Sequence, residues 1–338
     1  MTRYLSRRVF RRVSLRIVVA GGLVLAGALP ATRTQPAVAA VAADASCVPS
    51  YALTGSATAA TNTRHVVTAD VNGDGVVDVI ATNLEDDSVT VLLGSGDGTF
   101  AAGSTYAVGT HPYQTVVADF DGDGHPDLAT ADFGGAQVSV ELNSGDGTFG
   151  TASAIDVSGS PRALATGDLN GDGLADLVVA EQQTSTVRVL LGNGDGTFTD
   201  TGRTATGSQP HGIVVGDFDG DGAADVATAS VGDDGVSVLL GDGTGALGAA
   251  TEYAATARLY SLAEGDFDGD GSPDLAAVSN GADTLDVLPG NGDGTFGAAT
   301  TYSTPALPVA VGAADLDGDG TTDLLVSSLQ GNSVTPYQ

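Results

Sequence analysis

The sequence has no tryptophan and no lysine, a single cysteine, a single methionine and only 5% aromatic residues. Each shortage closes a class of explanation. The lone Cys47 can form neither an intramolecular disulfide nor a thiolate zinc cluster, so the fold must be held by other means. Twelve basic residues, all arginine, stand against 42 acids, for a net charge of −30 and a pI near 4.1. That balance leaves no basic surface to neutralise phosphates and excludes sequence-independent nucleic-acid binding. With 42% apolar content and few aromatics, Val, Ala, Leu and Thr must fill the core, a composition that suits strands.

The ends of the chain differ in character. Seven of the arginines, Arg3, Arg7, Arg8, Arg11, Arg12, Arg16 and Arg33, precede residue 40, and no acid occurs before Asp44. The apolar run from Ile17 to Leu29 is shorter than the roughly 20 residues of a membrane span. Followed by Ala37-Val38-Ala39 or Ala40-Val41-Ala42, it predicts a secretory signal over residues 1–39, cleaved between 39 and 45, and a linker over 40–48. Ser6-Arg7-Arg8-Val9-Phe10 resembles a twin-arginine signal, so the Sec and Tat routes both stay open. The expectation is a bacterial extracellular protein, monomeric and without a membrane span after cleavage.

The remainder is a repeat. The string D-x-D/N-G-D-G-x-x-D begins at Asp70, Asp119, Asp168, Asp217, Asp266 and Asp315, always 49 residues apart. Short apolar segments flank each copy, such as Val66-Val67-Thr68-Ala69 before the first and Val79-Ile80-Ala81-Thr82 after it, and read as strands joined by an acidic loop. A third strand, as in Ser88–Leu93, leads into a glycine hairpin such as Gly94-Ser95-Gly96-Asp97-Gly98-Thr99-Phe100, and a fourth strand carries Tyr106, Ile155, Tyr253 or Tyr302. Asp97, Asp195 and Asp293 in those hairpins read as tight-turn residues rather than a second metal site. Four antiparallel strands per unit and six units predict an all-β, six-bladed β-propeller over residues 49–338. The last unit stops at Gln338 with three strands, and Pro49-Ser50-Tyr51-Ala52-Leu53 is expected to supply its fourth.

A loop with carboxylates at its first, third, fifth and ninth positions, and glycine to tighten the turn, wraps oxygen ligands around one hard cation. Oxygen-only donors imply calcium rather than zinc or copper. The candidate ligands are Asp70, Asn72, Asp74 and Asp78; Asp119, Asp121, Asp123 and Asp127; Asp168, Asn170, Asp172 and Asp176; Asp217, Asp219, Asp221 and Asp225; Asp266, Asp268, Asp270 and Asp274; and Asp315, Asp317, Asp319 and Asp323. An EF-hand needs glutamate at the twelfth position, where this chain has Ala81, Thr130, Val179, Thr228, Ala277 and Val326. About six structural Ca²⁺ sites are expected.

The segments Asp-Phe-Asp-Gly-Asp-Gly-x-x-Asp-Leu-Ala at Asp119–Ala129 and Asp266–Ala276, with Leu-Leu-Gly-Asn-Gly-Asp-Gly-Thr-Phe at Leu190–Phe198, resemble the FG-GAP repeats of integrin α-subunits and bacterial VCBS-repeat proteins. The resemblance covers about residues 49–338. It implies calcium in the hairpin between the first two strands of each blade, with a backbone carbonyl ligand at the seventh position: Val76, His125, Leu174, Ala223, Ser272 or Thr321. The family usually has seven blades, against six repeats here.

Six residues before each motif lie Arg64, Tyr113, Arg162, His211, Tyr260 and Val309, where the chain enters the innermost strand opposite the acidic loops. Arg64, Tyr113, Arg162, His211 and Tyr260 form the candidate ligand site, Tyr and Arg being favoured in recognition. Glu85, Asp86, Asp132, Glu181 and Asp283 are nearby acids that a catalytic reading would pair as acid and base. The first expectation is a calcium-stabilised extracellular module binding a protein or glycan, as in adhesion. The alternatives are a lyase-like polysaccharide-processing enzyme or a lectin using the same mouth; no Ser-His-Asp spacing or histidine metal cluster supports an enzyme.

Overall fold

Each 49-residue unit folds into a meander because its short Val-, Ala-, Leu- and Thr-rich segments are separated by Gly- and Asp-rich turns. The computed structural model describes residues 62–338; the predicted signal, linker, Cys47 and closing strand 49–53 lie outside the described residues. Five four-stranded antiparallel sheets and one three-stranded sheet follow in chain order. They are the six blades of a β-propeller, and no helix occurs among the described residues.

The innermost strands are Thr63–Ala69, Pro112–Ala118, Pro161–Gly167, Pro210–Gly216, Leu259–Gly265 and Pro308–Ala314. Second strands are buried on both faces, as in Asp127–Asp132 and Asp176–Glu181, whereas fourth strands such as Ser104–Ala107 are largely exposed. Aliphatic side chains suit the double burial: Leu177, Val178, Val179 and Ala180 all pack without solvent contact. Cores lie between blades. Val214, Ala227 and Val236 of the fourth blade pack on Leu262, Leu275 and Leu288 of the fifth. Phe218 meets Phe296 edge-on at 5.6 Å, a favoured aromatic geometry.

Similar clusters join blades one to two, two to three, three to four and five to six. Among the described residues none joins six to one. Phe100 of the first blade is 38% exposed, while its counterparts Phe149 and Phe296 are 8% and 7% exposed. A methyl group added at Gly312 of the sixth blade would meet no atom within 4 Å.

One buried residue breaks the pattern. Glu141 stands where the other complete blades have Leu92, Leu190, Leu239 and Leu288, is fully buried, and neither carboxyl oxygen has a partner. Burial, reinforced by Asp132, pushes its pKa up to about 8. The neutral acid is therefore the folded form. Its contribution to stability falls as pH rises from the ordinary carboxyl range and is fully lost above about 8. Glu141→Leu is expected to stabilise the protein at pH 8 by about 1–4 kcal/mol and to flatten this pH dependence. Urea melts of both proteins from pH 5 to 9 check this; parallel curves would refute it.

Candidate metal loops and channel mouth

The acidic loops connect the first and second strands of each blade. In the second loop, Asp119 accepts the Gly122 N–H on Oδ1 at 2.7 Å and the Gly124 N–H on Oδ2 at 2.9 Å, which curls the backbone around its own first carboxylate. Gly122 and Gly124 adopt φ of 77° and 86°, conformations open to glycine at little cost. The ninth-position Asp127 is fully buried and joins two segments. Its Oδ2 accepts the Phe120 N–H and its Oδ1 the Asn143 N–H, both at 2.8 Å. The same double bond recurs at Asp78, Asp176, Asp225 and Asp274. Asp323 keeps only the first, to the Leu316 N–H.

Carboxylates of positions one, three and nine converge in four loops: Asp119, Asp121 and Asp127; Asp217, Asp219 and Asp225; Asp266, Asp268 and Asp274; Asp315, Asp317 and Asp323. In each, one oxygen per residue lies within 4.8 Å of the others. Opposite ligands on Ca²⁺ span about 4.6–5.2 Å, so these all-oxygen triads fit a hard cation of that size. Burial raises the pKa of Asp127, Asp225 and Asp274, and the neighbouring loop carboxylates raise it further, against the backbone N–H groups that lower it. A bound cation would reverse that mutual opposition.

The fifth-position aspartates stand outside the triads. Asp123 Oδ1 accepts the His125 N–H at 2.8 Å, and Asp74, Asp172, Asp221, Asp270 and Asp319 cap the seventh residue likewise. In the first and third loops, Asn72 and Asn170 turn their amides onto Asp74 and Asp172, at 3.0 and 2.9 Å. The hairpin aspartates have a different task. Asp97, Asp195 and Asp293 each accept a threonine N–H and hydroxyl two residues on, as turn residues do. The hairpins also lock onto the preceding blade's loop: Gly196, Gly245 and Gly294 donate N–H to the carbonyls of Phe120, Leu169 and Phe218.

At the other end of the innermost strands, Arg64, Tyr113, Arg162, His211, Tyr260 and Val309 line one cavity of about 50 Å³. A shared backbone device puts them there. The ladder to the second strand skips one residue in every blade: Thr63 pairs with Asn83 and His65 with Thr82, leaving Arg64 opposite nothing. The same skip falls on Tyr113, Arg162, His211, Tyr260 and Val309. A bulge re-aims its extra side chain, here toward the channel. Two residues earlier the chain turns through positive φ at Asn62, His111, Ser160, Gln209, Arg258 and Leu307.

Inside the mouth the Arg162 guanidinium lies over the Tyr113 ring, 3.7 Å from its centroid, and Arg64 lies 5.1 Å from the same centroid. Arg162 donates through Nε to His211 Nε2 at 2.8 Å, and its Nη2 also bonds that nitrogen. His211 Nδ1 is 2.9 Å from the Tyr260 carbonyl, to which it donates, leaving Nε2 as acceptor. Burial and the adjacent Arg162 hold the His211 pKa well below its usual value, so the ring is neutral. Burial, with Arg64 adding repulsion, lowers the pKa of Arg162 to about 10.

The sequence reading missed His65, which lines the same cavity at 6% exposure with neither ring nitrogen partnered. Burial and Arg64 lower its pKa to about 3. Its only signal was adjacency to Arg64. Three of the acids considered for catalysis have partners in the fold: Glu181 is clamped by Arg188 and Arg203, Asp132 accepts from Ser139, and Asp283 accepts the Leu307 N–H.

Among solved structures, the chain is similar to an Agrocybe aegerita lectin described as recognising non-reducing terminal N-acetylglucosamine (TM-score 0.53, 22% identity, 80% of this chain and 73% of that one). It is also similar to virginiamycin B lyase from Staphylococcus aureus (0.55, 15%, 81% of each). A third is BBS1N in complex with ARL6DN (0.60, 16%, 83% and 81%). At these identities the likeness is one of fold. No curated protein matches the sequence. The FG-GAP-like repeat matches residues 70–130, 119–179, 168–228 and 266–326. These stretches contain all six acidic loops and cover more than half of the chain, which therefore belongs to the FG-GAP-like repeat family.

Proposed function

We propose that this is a secreted, calcium-stabilised propeller that binds an extracellular protein or glycan through the mouth opposite its metal loops. The observation that carries the reading is the division of each innermost strand. One end closes onto an acidic loop, in four blades a converging carboxylate triad whose ninth-position member is buried, and the other carries a bulge that presents a side chain to a common cavity. Ca²⁺ would be held by the first-, third- and ninth-position side chains, neutralising them and fixing the hairpins that dock on each loop.

The geometry favours binding over chemistry. His211 has both ring nitrogens engaged, and burial beside Arg64 lowers the pKa of His65 to about 3, so neither imidazole is matched to general-base work near neutral pH. A sugar-stacking lectin would want an open aromatic face, and that of Tyr113 is covered by Arg162. The test is capture of the calcium-loaded protein on glycan and surface-protein arrays. Tyr113→Ala is expected to weaken capture roughly thirtyfold, the loss typical of an aromatic hot spot, with the melting temperature little changed. Capture that survives this substitution would move the binding surface elsewhere.

A further inference from the structure

A buried charge needs a counter-charge, and the mouth holds two arginines without one, Arg162 buried and Arg64 partly so. Arg162 is 7% exposed, and Arg64 points to the same place: both donate to the Tyr260 hydroxyl, at 3.5 and 3.4 Å. Among the described residues neither arginine makes an ion pair, although Arg188 and Arg203 both do. No carboxylate lines the cavity, in a chain with 42 acids. The Arg162 hydrogen bonds use Nε and Nη2, leaving the two N–H groups of Nη1. His65 adds a buried imidazole without a partner to the same lining. Tyr260, accepting from two guanidiniums, keeps its own O–H to donate.

From this convergence of donors on a cavity without a negative charge, we infer that the mouth is a carboxylate-binding site, completed by the anion rather than by the protein. This rests on the mouth being the binding surface and names the group it takes. Charge selects the anion. The cavity of about 50 Å³ has room for a carboxylate head. A guanidinium fork matches the planar carboxylate. The net charge of −30 opposes a dianion about twice as strongly as a monoanion, which disfavours phosphate monoesters, free sulfate and long polyanions.

The experiment measures melting shifts and calorimetric binding on the calcium-loaded protein at constant ionic strength. The probes are acetate, glucuronate, neutral glucose, sulfate and phosphate. Acetate and glucuronate are expected to bind and raise the melting temperature, and glucose is not. Arg162→Met should abolish binding while its own ligand-free melt equals or exceeds that of the wild type, since a purely structural arginine would lower it on removal. Arg64→Gln, closer to solvent, should weaken glucuronate roughly ten- to a hundredfold and carries the test if R162M fails to fold. The inference falls if acetate and glucuronate leave the wild type unchanged, if they shift both variants equally, or if sulfate or phosphate binds more tightly. A captured partner whose neutral analogue binds equally well would end this inference and leave the binding-module reading standing. Carboxylate binding without any captured partner would do the reverse.

Discussion

Saturating the metal-free protein with calcium is expected to raise its melting temperature by about 10–20 °C. Four loops bring three carboxylates together. Extracellular calcium modules have dissociation constants of about 10⁻⁴–10⁻³ M. At tenfold excess each site stabilises the folded state by RT ln 11, about 1.4 kcal/mol, so four sites contribute about 5–6 kcal/mol. In a chain of this size each kcal/mol moves the melting temperature by about 2–4 °C. The first and third loops, where Asn72 and Asn170 spend their amides on a neighbouring aspartate, should add less. Magnesium, smaller and reluctant to lose water, should recover only part of the effect. Scanning calorimetry in EDTA, calcium and magnesium reads this directly, and coincident EDTA and calcium melts would remove the metal from the account of stability.

The second large effect comes from a single buried side chain. Asp225→Ala should cost about 2–6 kcal/mol even without metal, because the carboxylate accepts the Phe218 N–H at 2.8 Å and the Gly241 N–H at 2.7 Å. Removing it leaves two donors unpaired, at about 1–3 kcal/mol each. Asp225→Asn keeps one acceptor oxygen and should recover about half of that loss, yet it surrenders a negative ligand and with it part of the calcium response. Asp242 in the same blade is the control. It is an exposed turn residue bonded to Thr244, and its replacement by alanine should be nearly neutral beside the core substitution. If D225A and D242A melt together, the ninth position is only a metal ligand and not also a strut.

The blade unit was legible because a period of 49 residues, flanked by short apolar segments, leaves few architectures. The ring of mouth residues was legible for the same reason: equal spacing from Asp70, Asp119 and their counterparts puts Arg64, Tyr113 and the others at equal heights. What spacing does not carry is local backbone geometry. Residue type groups the fifth-position aspartates with the ligands, and spacing alone does not show that the seventh N–H claims one oxygen of Asp123. The bulges at Arg64 and Arg162 leave no trace in composition, since they depend on a register between strands rather than on any residue. Glu141 was invisible for the opposite reason. It sits in an apolar pattern that one carboxyl interrupts, and only the packed structure shows it enclosed.

The bulge also frees the six rim residues from the ladder. Arg, Tyr, His and Val all occupy that position without changing the strand before or after it. Each blade thus contributes one interchangeable letter to a six-letter word written around the pore. Rewriting that word should retarget the protein while its scaffold stays the same.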